Sequence, residues 1–223
     1  MQKSLTKNSI YNVIYTIANI LFPFATSIYV SRILLPAGVG KVASAQNIVS
    51  YFVTLAALGL PSYGVREFAK VREKKYERNK LFTELLLVNI ISTTLAVVGF
   101  IGLVVVNEGF SGQWALYAAC GLSIAFNYLN IDWMYQGLEE YGYITGRSLL
   151  IKGLSLLALF LFVKTREDYV IYALISSLAT GGNYVFNVLN ARKYVALDFS
   201  RIELKRHMKP VLLIACILIE YLQ

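Results

Sequence analysis

The stretch FTELLLVNIISTTLAVVGFIGLVVV, Phe82 to Val106, carries a single charge at Glu84, followed by 22 residues with none. A helix rises about 1.5 Å per residue, so a run of this length crosses a bilayer core of roughly 30 Å. It has no period-two alternation and therefore reads as a helix, not a barrel strand. Five further apolar blocks lie at 10–34, 42–62, 114–134, 145–163 and 169–190. Short polar or glycine- and proline-containing pieces separate them, among them Leu35 to Lys41 and Asn107 to Gln113, which read as loops. The expectation is an all-α polytopic membrane bundle of six antiparallel transmembrane helices.

Composition agrees. Hydrophobic residues make up 57% of the 223 and charged residues 15%, against roughly 25% charged in soluble domains. The first block follows Lys3 and Lys7, yet it is long, contains Asn12, Asn19 and Pro23 and lacks a small-residue cleavage pattern, so it reads as a membrane helix and not a signal peptide. Pro210 opens a seventh apolar run with 13 residues after it, too few for a span. Residues 1–209 are thus expected to form a six-helix lobe, and 210–223 the start of a truncated seventh helix.

The net charge of +8 is distributed unevenly. With the N-terminus inside, the inner side holds 17 of the 21 Lys and Arg residues, Arg147 and Lys152 at the entry to span five included, and the outer side only Arg32, Lys41, Lys164 and Arg166. Basic residues favour the cytoplasmic side, so a cytoplasmic N-terminus in a bacterial inner membrane is expected. The same distribution assigns the charge to topology, with no nucleic acid partner.

Polar residues inside spans are costly unless they face protein or water. Span one carries Asn12, Thr16, Asn19, Pro23 and Thr26 at steps of three or four, hence on one face. Span six repeats this with Ser176, Thr180, Asn183, Asn187 and Asn190. Such stripes either join helices or line a hydrophilic lumen. Among the cations, Lys152 either snorkels to the inner interface or enters the lumen beside Arg147, whose planar fork suits phosphate oxygens. Arg32, Arg66, Arg147 and Lys152, with Asn12, Asn19, Asn183 and Asn187, are the substrate-binding candidates. Asp132 and Glu84, both near an interface and easily solvated, are the coupling-ion candidates. His207 reads as a solvated histidine in a basic loop, and Cys120 and Cys216 as lipid-embedded side chains. There is no phosphate loop, metal-ligand spacing or nucleophile elbow, so neither an enzyme nor a metal or other cofactor is expected.

Two stretches carry a family resemblance. Ser31-Arg32-Ile33-Leu34-Leu35-Pro36-Ala37-Gly38-Val39-Gly40, with Asn47 to Phe52 and Leu58 to Glu67, is similar to the opening of Wzx-type polysaccharide flippases. Asp132-Trp133-Met134-Tyr135-Gln136-Gly137-Leu138-Glu139, with Tyr141, Thr145, Arg147 and Lys152 behind it, resembles a second signature of that family. Leu35 departs from it, standing where the family usually has glycine. The resemblance implies one lobe of a two-lobe exporter fold that moves undecaprenyl-pyrophosphate-linked oligosaccharide from the inner to the outer leaflet by alternating access, for O-antigen or capsule assembly. It implies that the cations meet pyrophosphate and the asparagines sugar. The implied partners are lipid-linked oligosaccharide, membrane lipid, the missing C-terminal lobe and polysaccharide assembly proteins. A cation-coupled drug or small-molecule exporter of the same superfamily and an inactive fragment are the alternatives.

Overall fold

The computed structural model describes residues 5–200 and 202–220, with side chains at 10–107, 109–110, 112–200 and 202–214. Lys3 lies outside these residues, and Lys7, Cys216 and Glu220 lie outside those whose side chains are described. The regular elements among the described residues are all helical: α1 (Leu5–Ala57), α2 (Leu60–Lys70), α3 (Lys75–Val106), α4 (Trp114–Phe126), α5 (Asp132–Gly137), α6 (Tyr141–Phe162), α7 (Tyr169–Ala191) and α8 (Lys205–Glu220). Three stretches are long and apolar enough to cross a membrane: Ile10–Lys70, Lys75–Val106 and Tyr141–Phe162. Their lipid-ready surface is plain in side chains such as Ile20, Phe24, Leu95 and Val105, each about two-thirds exposed or more. The protein is a multi-pass membrane protein.

Expected spans one and two both lie within α1. Its 53 residues would measure about 80 Å if straight, far more than one bilayer. The run breaks at one residue, Leu35, with φ 57° and ψ 171°, and helix resumes at Pro36. The loop expected over Leu35 to Lys41 is therefore a single-residue bend. Proline has no N–H to lose at a helix start and drives its predecessor out of the helical region. A second bend follows at Leu58 (φ 44°) and Gly59 (φ 70°), after which Leu60 and Pro61 open α2.

Expected span four, 114–134, is not one helix. α4 ends at Phe126, a 3-10 turn covers Asn127–Leu129, Asn130 is extended, and α5 starts at Asp132. The seventh run also differs, because its helix begins at Lys205, before Pro210.

The chain forms two compact units. The first comprises 1–50, 102–123 and 140–183; the second comprises 51–101, 124–139 and 184–223. In the first, Val30 and Leu34 of α1 pack on Leu159 and Val163 at the end of α6, ringed by Tyr29, Tyr169 and Tyr172. Tyr29 donates its hydroxyl to the Val163 carbonyl at 2.9 Å, satisfying a carbonyl just beyond the helix end. In the second unit the two sequence signatures meet. Trp133 of α5 lies so close to α2 that a Cβ on Gly64 would sit 2.9 Å from the indole, and one on Gly137 would meet the Phe68 Cβ at 2.5 Å. Phe68 and Phe82 complete an aromatic cluster around the buried Trp133.

Leu35 holds a backbone conformation suited to glycine, at a cost on the order of 1–2 kcal/mol. Replacing it removes a side chain that lipid solvates about as well as protein does. Leu35→Gly is expected to raise the thermal midpoint of the purified protein in detergent, by the equivalent of about 1 kcal/mol. Leu35→Val, β-branched at positive φ, is expected to lower it.

Candidate functional site

Lys152 lies at the middle of α6, 11 residues from Tyr141 and 10 from Phe162, or about 16 Å from either end. Its ammonium donates to Asn19 Oδ1 of α1 and stands 5.9 Å from the Tyr15 ring centre and 5.8 Å from that of Phe22. Neutral oxygen and aromatic faces therefore hold the cation, and no carboxylate among the described residues forms an ion pair with it.

One and a half turns earlier on α6, Arg147 is buried, with 7% exposure. Its Nη1 donates to the Asn183 carbonyl at 3.2 Å, and its guanidinium lies 5.8 Å from the Tyr143 ring centre. Asn183 donates its own amide to Ala179 O at 2.8 Å, leaving Oδ1 as a buried acceptor without a hydrogen-bond partner among the described residues. Thr145 ties α6 to α1 by donating to Tyr11 O at 3.0 Å. Asn12 is exposed on α1, two turns before Asn19 on the same face, and its carbonyl accepts the Thr16 hydroxyl at 2.8 Å. The first unit thus brings together Lys152 with Asn19 and Arg147 with Asn183.

The remaining candidates are placed differently. Arg32 is exposed on α1. Arg66, its side chain 57% exposed, lies 3.0 Å from Glu67, which Lys70 also contacts at 2.8 Å; exposed pairs of this kind contribute little. Asn187 is fully buried in the second unit, where its amide donates to Asp132 Oδ1 and its carbonyl accepts the Tyr135 hydroxyl at 2.7 Å.

Two of the acid-base readings change on folding. Glu84 is 1% exposed and His207 is fully buried, so neither is solvated. His207 Nε2 lies 2.8 Å from Glu84 Oε2 and Nδ1 lies 2.7 Å from the Tyr63 hydroxyl, while Glu84 Oε1 accepts the Glu203 N–H at 2.8 Å. A buried carboxylate needs partners of this kind. They come from segments more than 100 residues away in sequence, which a local reading of the basic loop does not reveal.

Sequence reasoning also missed the polar network at the span-four break. Asn89 of α3 donates to Asn127 O at 2.7 Å, and Asn127 donates in return to Asn89 Oδ1 at 3.0 Å and Thr93 Oγ1 at 2.8 Å. Asn130 donates to Asn127 Oδ1 at 3.0 Å and accepts the Trp133 indole N–H on its carbonyl at 3.1 Å. These side chains satisfy a backbone that has left the helix at membrane depth, where non-helical chain is tolerated only inside protein. The signal was present in Asn89, Ser92 and Thr93, a polar step of three and four inside the apolar block. Asn89→Leu and Asn127→Leu are each expected to lower the thermal midpoint by the equivalent of about 1–3 kcal/mol. The double variant should lose much less than the sum, because either change already breaks the shared bonds.

Comparison with known proteins follows this geometry. Residues 5–219 match the family described as "Polysaccharide biosynthesis protein". A curated relative, the "Putative O-antigen transporter" of Escherichia coli (strain K12), is 22% identical over 176 residues, 79% of this chain and 42% of that protein. The aligned part is thus less than half the length of that relative. No solved structure gives a significant match. With a match that runs from residue 5 to residue 219, the chain belongs to the polysaccharide biosynthesis protein family, in agreement with the resemblance to Wzx-type polysaccharide flippases carried by its two signatures.

Proposed function

We propose that this chain is the N-terminal six-helix lobe, residues 1–209 with the opening of a seventh span at 210–223, of a two-lobe flippase. The whole protein would move undecaprenyl-pyrophosphate-linked oligosaccharide from the inner to the outer leaflet by alternating access, without enzymatic chemistry, in O-antigen or capsule assembly. The E. coli relative named as an O-antigen transporter supports a saccharide cargo over a drug. Because the aligned part is 42% of that relative, the complete transport path belongs to the two-lobe protein.

The single observation that carries the reading is Lys152. An ammonium near the middle of a membrane helix, held by an asparagine and two aromatic rings, is costly in hydrocarbon and marks a site for a charged ligand or a water-filled cavity. A pyrophosphate supplies the missing negative charge. The buried, unpartnered Asn183 Oδ1 supports the sugar half of the reading, since it offers an acceptor to a hydroxyl. In this proposal Arg147 supports the same site from one and a half turns away, and Asn12 and Asn19 extend its polar face. Arg32 and Arg66 are the proposal's further candidates for meeting the anionic substrate. Asp132 and Glu84, each set among buried polar groups, are its candidates for a coupling cation.

The cytoplasmic N-terminus is part of the proposal, supported by the distribution of basic residues, 16 of 21 on one side once mid-helix Lys152 is set aside. A fluorescent reporter that matures only in the cytoplasm is expected to light up when fused after Arg72 and to stay dark when fused after Gly109; the reverse pattern overturns the orientation. In a gene encoding both lobes, Lys152→Ala is expected to lower surface polysaccharide about tenfold, equivalent to 1.4 kcal/mol, at unchanged protein level. Lys152→Arg should retain part of the activity. Unchanged polysaccharide in Lys152→Ala removes Lys152 from the site.

A further inference from the structure

Between α7 and α8 the described residues of 192–204 form neither helix nor strand, yet side chains of α3 hold their backbone at intervals. Asn79 Oδ1 accepts the Ala196 N–H at 3.1 Å, Thr83 Oγ1 accepts the Asp198 N–H at 2.8 Å, and Glu84 Oε1 accepts that of Glu203. Lys80 Nζ adds a contact to Glu203 Oε1 at 3.3 Å, and the Tyr76 hydroxyl lies 3.3 Å from Ser200 Oγ. These contacts go back and forth over the first turns of α3, from Tyr76 to Glu84, so the segment lies against the start of that helix. Its far end is fixed where His207 is buried against Tyr63 and Glu84.

Val195 is buried and Tyr194 packs on Tyr135, but three apolar side chains beyond them stay open. Leu197 is 56% exposed, Phe199 62% and Ile202 36%. Exposed cations flank them, Arg192 and Lys193 before and Lys205, Arg206 and Lys209 after. The acids are fewer: Asp198, and Glu203, which is shared with Lys80. Hydrogen bonds from the Ser200 hydroxyl and N–H hold the Asp198 carboxyl below the usual carboxylate range. The α3 anchors at 79–84 straddle residue 82, where the apolar block begins, so the segment lies at the level where hydrocarbon gives way to headgroups.

We propose that residues 192–209 are an interfacial strap that seats on the anionic headgroup layer of the membrane, Leu197 and Phe199 entering the interface and the five flanking cations meeting lipid phosphates. Apolar side chains among cations are the composition that binds anionic bilayers, and the charge complementarity selects that lipid class. The inference needs only a multi-pass membrane protein and is independent of the proposed cargo.

The test uses the whole chain with Cys120→Ala and Cys216→Ala, spin-labelled in turn at Leu197→Cys and Phe199→Cys. The labelled protein is reconstituted in phosphatidylcholine vesicles, with or without phosphatidylglycerol. The ratio of collision with oxygen to collision with a water-soluble nickel chelate reports depth. The expected result is a ratio that rises with phosphatidylglycerol. That rise should be lost when Arg192, Lys193, Lys205, Arg206 and Lys209 are changed to Gln, with helical content by circular dichroism unchanged. An equal ratio in both lipids, a rise that survives the five changes, or a label shielded from both reagents by packed protein would overturn it. Loss of polysaccharide transport in any variant has no bearing on this readout.

Discussion

The backbone between Asn127 and Ile131 leaves its helix against polar side chains of α3, and the second unit is organised around that fact. Asn89 and Thr93, one turn apart on α3, face the break, and Asn127 binds both. Their bonds cap the end of α4 and fix where α5 begins. That start in turn sets Trp133 against Gly64, and places Asp132 where Asn187 binds it. Ser92, between the two anchor residues, donates to Ala56 O at 2.6 Å, where α1 ends before the Leu58–Gly59 bend. One polar face of α3 thereby serves two helix ends at once, the general answer to orphan carbonyls inside a membrane protein.

The cations divide along a similar line. Arg66, on α2, is surface-exposed and paired with the neighbouring Glu67. Lys152 is held by a side-chain amide oxygen, a partner that binds the charge without cancelling it, while Arg147 one and a half turns earlier donates to a backbone carbonyl. A membrane protein that keeps the Lys152 charge on a spanning helix retains its field, and it is the field that an anionic ligand meets first.

Much of the fold was legible in the sequence, because uncharged runs of about 20 residues leave few alternatives. The apolar blocks at 82–106, 145–163 and 169–190 became α3, α6 and α7 with small shifts at the ends. Two of the misreadings depended on partners distant in sequence, and a third on a bend confined to one residue. Asn127 sits in an apolar block and looks like an ordinary span residue until Asn89 is placed beside it. His207 sits among Lys and Arg and looks solvated until Tyr63 and Glu84 close over it. Leu35 to Lys41 has the composition of a loop, yet Pro36 and the residues after it continue as helix once Leu35 has taken up the bend. For the candidate site, periodicity put Asn12 and Asn19 on one face, and residue type flagged Lys152. Only the folded chain showed that Asn19 holds Lys152 and that Asn187 is engaged by Asp132.

Glu84 depends on partners made late in synthesis. The residues that satisfy it and its neighbours on α3, from Ala196 to His207, follow them in the chain by 115 to 123 positions, and Tyr63 waits 144 positions for the imidazole. Until residue 207 has left the ribosome, the nascent chain holds a carboxylate at the mouth of an apolar helix with Lys80, one turn earlier and 3.8 Å away, as the one partner among the described residues already made. The start of α3 must therefore stay at the water boundary during insertion, and the helix can settle to its final depth only after α8 begins to form. Assembly of this unit is closed by its last-made segment.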